Sequence, residues 1–213
     1  MKTRMGLCLA GLVVMAWLLS ACNLFGQSQK EAKKTYLLQG QPGHSAPAQA
    51  SQLKPCVTLR VSPPGSAPGF RSTGMAYITE PPRLDYFAYH EWAGTPADMI
   101  GTLIQSRLEA AGTVGAVVTG STDIYAEVRL DSEVLQLVQE FEAGSSSLLL
   151  SIRVRLIDVS HRSLLASRTF SYVEPAAGEN PVAGVEAANR AVQSFLDDLA
   201  GFLEQSIASI DCG

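Results

Sequence analysis

Between Leu148 and Leu156 an apolar residue stands at every second position: Leu148, Leu150, Ile152, Val154 and Leu156 fall on one side, Ser151, Arg153 and Arg155 on the other. A period of two is the pleat of a half-buried β-strand. Such a strand cannot stand alone, because its backbone needs neighbours and its apolar side needs a cover. The flanking sequence predicts both. A turn at Gly144-Ser145-Ser146 precedes it, and a polar turn near His161 leads to a further strand over Leu164 to Val173. Loops this short make the strands an antiparallel meander. The cover is a helix opened by Asn180 as N-cap and Pro181 at the first position, on which Val185, Ala188, Val192, Phe195, Leu196, Leu199, Phe202 and Leu203 form an i, i+3, i+4 stripe.

Upstream, Tyr36 to Gln39 predicts a brief strand and Gly40 to Pro55 an exposed loop rich in Pro, Gly, Ala and Ser. Cys56, Val57, Leu59 and Val61 predict a strand ended by Pro63-Pro64-Gly65. Met75 to Ile78 and Leu84 to Tyr89 predict a hairpin around Glu80-Pro81-Pro82-Arg83. A second helix opens at Thr95-Pro96-Ala97-Asp98, buries Met99, Ile100, Leu103, Ile104, Leu108 and Ala111, and stops at Gly112. A short strand follows at Val114 to Val118. Ile124, Ala126, Val128 and Leu130 then alternate with Tyr125, Glu127, Arg129 and Asp131 as another half-buried strand. Beyond Asp131-Ser132 the apolar parity moves to Leu135, Leu137 and Phe141, which a bulge or tight bend there would produce. These elements sum to an α/β fold: a mixed sheet, largely antiparallel, covered by an amphipathic helix and a long C-terminal helix.

The N-terminus carries an address. Lys2 and Arg4 precede an apolar run from Met5 to Leu19, an export signal too short for a comfortable membrane span. It closes on Leu19-Ser20-Ala21-Cys22, which resembles the lipobox of bacterial lipoproteins. That resemblance implies cleavage between Ala21 and Cys22, and a diacylglycerol and an N-acyl chain on Cys22 that hold the protein on a membrane without crossing it. By resemblance to the enteric sorting rule, Asn23 favours the outer membrane. The expected organisation is a signal over residues 1–21, a lipidated cysteine and tether over 22–34, a folded domain over 35–207 and a tail over 208–213. No other cofactor is expected.

The signal holds two of the 16 basic residues and none of the 20 acidic ones, so the mature chain carries a net charge of −6. That balance argues against nucleic acid as a partner, since neutralising phosphates takes a basic face. Cys8 leaves with the signal, and Cys56 and Cys212 are the remaining thiols in an oxidising compartment, where a disulfide between them is expected.

A search for chemistry finds no nucleophile elbow, phosphate loop, C-x-x-C pair or dinucleotide fingerprint. His90-Glu91-Trp92-Ala93-Gly94 begins like a zinc-protease helix but lacks the second histidine, so no metal site is expected. His44 and His161 lie in a loop and a polar turn with no evident carboxylate partner. The chain reads as a non-enzyme. Its candidate binding surface is the aromatic cluster of Tyr77, Tyr86, Phe87, Tyr89 and Trp92, because strand alternation turns some of these rings outward.

The run Tyr86-Phe87-Ala88-Tyr89-His90-Glu91-Trp92-Ala93, with Pro96 and the helix Met99 to Leu108, resembles the tyrosine-rich run, tryptophan and amphipathic helix of the ABC-type transport auxiliary lipoproteins. The following order is similar too: Tyr125-Ala126-Glu127-Val128, the pair Phe141-Glu142, the strand Leu150 to Val159, Leu165-Ala166-Ser167-Arg168-Thr169-Phe170 and the alanine-rich helix after Pro181. The resemblance spans Tyr36 to Leu203. It implies a three-layer α/β arrangement and a non-enzymatic component of an MCE or Mla-type envelope system that moves lipids or other apolar molecules. The partner so implied is a periplasmic MCE-domain protein, received by exposed members of Tyr77, Tyr86, Tyr89 and Trp92. Alternatives are a lipid carrier with an apolar cleft, or an assembly factor for an outer-membrane complex; the chain could also form a homo-oligomer.

Overall fold

A computed structural model of the chain describes residues 32–40, 54–120, 123–208 and 210. In chain order these contain β1 (Lys34–Tyr36), β2 (Lys54–Val61), β3 (Gly65–Ser66), a 3-10 turn at Pro68–Phe70, β4 (Gly74–Ile78), β5 (Asp85–Trp92), helix α1 (Pro96–Ala111), β6 (Val114–Thr119), β7 (Val128–Glu142), β8 (Ser145–Asp158), β9 (Ser163–Pro175) and helix α2 (Pro181–Ile207). The strands form one mixed sheet. The α/β class, the two covering helices and the antiparallel meander of β7, β8 and β9 are as the sequence predicts.

Strand β7 organises the rest. One edge pairs with β8 along its length, while the other receives β2, β3 and β4 end to end, all parallel, at Leu59↔Val128, Gly65↔Glu133 and Ala76↔Val138. Strand β5 adds antiparallel to β4, β1 parallel to β5, and β6 parallel to β2. Strand β1 starts at Lys34, and Lys33 already pairs with Glu91 at 2.9 Å, so the folded part reaches slightly into the expected tether.

One expectation along β7 needs correction. Ile124 to Glu127 is not part of the strand, and Ile124 and Tyr125 are exposed. Side chains satisfy the backbone here in place of a ladder: Arg60 donates to the carbonyls of Gly120 and Ile124, and the Glu127 carboxylate accepts from Thr58 N at 2.7 Å. The expected bulge is present: Leu135 is the extra residue between the pairs Val134↔Ile152 and Gln136↔Ser151. Ser132 is buried on the same face as Leu130 and Val134, a polar residue in the apolar row ahead of the bulge.

Both helices start as read. Thr95 Oγ1 accepts from Asp98 N at 3.2 Å, and α1 ends at Gly112, whose φ of 61° places it in the left-handed region. Asn180 Oδ1 accepts from Ala183 N at 3.1 Å at the start of α2. Helix α2 lies on β8 and β9 through Val192, Phe195, Leu199 and Leu203, all fully buried. Its first turn lies tight against β7. An added methyl at Gly184 would overlap Gln139 Oε1, and the buried Gln139 amide donates to Ser146 Oγ at 2.9 Å and to Asn180 O at 3.2 Å.

Strand β9 is laced to α2 by mixed contacts. Phe170 meets Phe195 and Phe202 edge-on at 5.5 and 5.7 Å, and Tyr172 Oη donates to Asp198 at 2.7 Å. Burial, and then that hydrogen bond, push the Tyr172 phenol well above the usual tyrosine range. A group raised in the folded state contributes stability that is complete below its unfolded pKa of about 10 and is lost as pH rises towards the folded value. Tyr172→Phe is therefore expected to lower stability by about 1 kcal/mol at neutral pH through the lost hydrogen bond, yet to decline less steeply than the parent above pH 10. Urea midpoints measured on both sides of that pH test it.

Candidate functional site

Strand β5 concentrates the aromatic residues, and a break in its pairing decides which of them reach solvent. The register with β4 runs Tyr77↔Asp85 and Ala76↔Tyr86, then resumes only at Gly74↔Glu91. Phe87 to His90 therefore leave the β4 ladder, and simple alternation fails: Ala88 and Tyr89 are both exposed. The four candidate contacts separate accordingly. Tyr86 and Tyr89 are 45% and 49% exposed, Tyr77 is half-buried, and Trp92 is 4% exposed within the core. Burial removes Trp92 from the docking set.

The half-buried rings form a continuous support. Tyr77 lies 4.5 Å from Phe87 and meets Phe141 edge-on at 5.9 Å; Phe87 meets His90 at 6.1 Å; His90 stacks on Tyr36 at 5.6 Å, with Tyr36 Oη 3.0 Å from His90 Nδ1. These contacts fix β5 between β1 and β4. Tyr86 is held as well: its hydroxyl donates to Gly69 O at 2.8 Å, and its ring lies so close to Gly74 that an added Cβ would stand 2.8 Å from it. Among the described residues β1 pairs only with His90 to Trp92, which leaves the Asp85 to Tyr89 edge open beside the two tyrosines. The arrangement is a rigid ledge presenting two amphipathic rings, suited to recognition by packing and hydrogen bonding.

The other candidates stand apart from this ledge. Ala21, Cys22, His44 and Cys212 lie outside the described residues. Cys56, exposed in β2, is disulfide-bonded, and its partner is also outside them. His161 does have a carboxylate partner, contrary to expectation: Asp158 accepts from His161 N at 2.8 Å and lies 2.9 Å from its Nδ1. These hydrogen bonds hold the Asp158 carboxyl below its ordinary range and close the exposed β8–β9 turn. Among the described residues no group of three or more His, Cys, Asp or Glu could hold a metal ion.

Among the described residues, open clefts lie beside both helices. One of about 570 Å³ is lined by Glu174, Glu186, Asn189, Arg190, Gln193 and Ser194, and its Arg190 is engaged by Glu174 at 3.4 Å and by Pro175 O at 2.6 Å. The other, about 260 Å³, lies between α1 and the Pro63-Pro64 turn. The polar lining of the larger differs from the apolar cleft expected of a lipid carrier. No described helix is long and apolar enough to cross a membrane.

The fold is shared with solved proteins. Protein XCC0632 from Xanthomonas campestris, of the DUF330 family, superposes with a TM-score of 0.69 at 19% identity over 81% of this chain and 96% of its own. The hypothetical protein CT253 from Chlamydia trachomatis gives 0.53 at 12% identity over 72% and 98%. No curated protein gives a significant match. The model of a family described as the ABC-type transport auxiliary lipoprotein component matches residues 36–200, which takes in nearly every strand and most of both helices, and the chain belongs to that family.

Proposed function

We propose that this protein is an outer-membrane lipoprotein that docks the periplasmic MCE-domain component of an ABC transport system moving lipids or other apolar molecules. Family membership supports an auxiliary role in ABC-type transport carried out by a lipid-anchored, non-catalytic component. The observation that carries the docking reading is the ledge of Tyr86 and Tyr89, exposed on a strand whose other rings are locked in place. Cys22, diacylated on its thiol and made the mature N-terminus by cleavage after Ala21, holds the domain to the membrane, and Asn23 directs it to the outer one. A disulfide from Cys56 to Cys212 ties the tail after α2 to β2; Ile210 already packs on the core.

Replacing Tyr86 and Tyr89 together by alanine is expected to weaken capture of the MCE component at least about thirtyfold, the effect of losing a central aromatic hot spot. The check is crosslinked co-purification from intact envelopes, followed by titration of the purified pair. Near-ultraviolet circular dichroism establishes that the double variant keeps the fold. Undiminished capture by that variant would remove the ledge from the interface.

A further inference from the structure

The cleft between α1 and the Pro63-Pro64 turn lies outside the carboxyl ends of two parallel strands, β2 and β6, which pair at Val61↔Thr119. Open α/β sheets place their ligands at such ends. Its walls are held. Gly101, a poor residue for the interior of a helix, lets α1 press on the turn: a Cβ there would stand 2.8 Å from Pro64 Cδ. Ser62, beside the turn, is tied to β7 by its amide, which donates to Leu130 O at 3.0 Å, and by its hydroxyl, which donates to Asp131 at 2.7 Å. At about 260 Å³ the space is smaller than a site for a drug-sized ligand and suits one long side chain.

The lining decides which side chain. Asp98, Thr102 and Gln105 recur at i, i+4 and i+7, so they share one face of α1. Each has a partner within the helix or its cap, and each keeps an acceptor. Thr95 Oγ1 donates to Asp98 Oδ2 at 2.7 Å, which leaves Oδ1. Thr102 Oγ1 donates to Asp98 O at 3.1 Å and keeps its lone pairs, and Gln105 Nε2 donates to Glu109 at 2.8 Å and keeps Oε1. Val61, Pro63 and Pro64 supply apolar surface. No Lys, Arg or His stands among the described lining residues; Arg60, on the opposite face of β2, donates to the carbonyls of Gly120 and Ile124. One carboxylate, further acceptors and an apolar wall are the complement of a cation on an alkyl stem.

We propose that this cleft takes a lysine side chain from an extended segment of a partner protein, with the stem along Pro63 and Pro64 and the ammonium at Asp98. Acceptors on three different residues suit the three donors of an ammonium better than the planar fork of an arginine. A phosphoethanolamine headgroup fits less well, because no cationic side chain of the lining would meet its phosphate. This inference does not depend on the tyrosine ledge, since β6 and β5 lie far apart in the sheet order.

The test uses the full chain in detergent micelles and reads the amide resonances of Thr102, Thr119 and Gly120. A blocked tripeptide with lysine between two alanines is expected to shift them at millimolar concentration. The same peptide with norleucine keeps the stem, lacks the ammonium, and is expected to bind at least about fivefold more weakly. Asp98→Asn keeps an oxygen for Thr95 and removes the charge, and should weaken the lysine peptide by about the same factor with near-ultraviolet circular dichroism unchanged. Glu109→Gln removes the same charge from the same helix outside the cleft and should leave binding as it is. Equal weakening by both variants, or by neither, overturns the proposal, as does a norleucine peptide that binds as tightly or a lysine peptide that shifts nothing at tens of millimolar. Phosphoethanolamine bound as tightly at the same resonances would overturn the assignment to a protein partner and give the cleft to a lipid headgroup.

Discussion

Replacing Phe195 by alanine is expected to lower the stability of the folded domain by about 3 to 5 kcal/mol, the usual effect of emptying a fully enclosed phenylalanine site. Phe195 has no exposed surface and sits in the middle of α2 with Ala191, Val192 and Leu199 buried around it. Its ring meets Phe170 of β9 edge-on, and Phe202 completes that cluster further along the helix. The site cannot collapse easily, because the helix is pinned at its first turn by Gln139 and Asn180 and along its flank by Tyr172 with Asp198. For a domain of this size each kcal/mol shifts the melting temperature by about 2 to 4 °C, so the midpoint should fall by roughly 10 °C. Leu164→Ala provides the contrast: that side chain is 59% exposed, and its loss should change stability by no more than about 0.5 kcal/mol. Denaturation in urea and heat measures both. A loss below about 1.5 kcal/mol at Phe195 would mean that α2 is not seated on the sheet as described.

That helix was the most legible element in the sequence, because its signals are local and agree: a capping asparagine, a proline at the first position and an apolar stripe of the right period. The meander was legible for the same reason, each strand being joined to the next by a short turn. What the sequence hid is non-local. Nothing in residues 59–61, 65–66 and 76–78 announces that they line up in parallel along one edge of β7, since register between distant segments depends on pairings that no local pattern encodes. The bulge was legible as well, because the apolar parity changes at Leu135 even though the inward-facing Ser132 and Gln139 interrupt the apolar rows on either side of it. The aromatic ledge was read as a group, but Trp92 could not be told from Tyr89, because the interrupted β4 pairing overrides the alternation that would assign their sides.

Replacing Cys22 by serine is expected to move the protein from the membrane to the soluble periplasmic fraction almost completely. Each buried methylene contributes about 0.8 kcal/mol to anchoring, and a single myristoyl-length chain gives only a reversible attachment of about 10⁴ M⁻¹, so the two or three chains proposed on Cys22 are expected to hold the domain where none cannot. No described helix supplies a span in their place, and the acidic chain gains nothing from an anionic surface. The folded domain, beginning at Lys33, should keep its melting temperature, which separates loss of the anchor from loss of the fold. Density-gradient fractionation of the parent then reads Asn23: recovery with the outer membrane supports the proposed location, and recovery with the inner membrane overturns it while leaving the anchor intact. The Cys22→Ser protein should also lose transport support even though its tyrosine ledge is unchanged, because a docking site in free solution no longer tells the transporter where the outer membrane lies. Continued sedimentation of the serine variant with membranes after a high-salt wash would show that something other than acylated Cys22 holds the protein there.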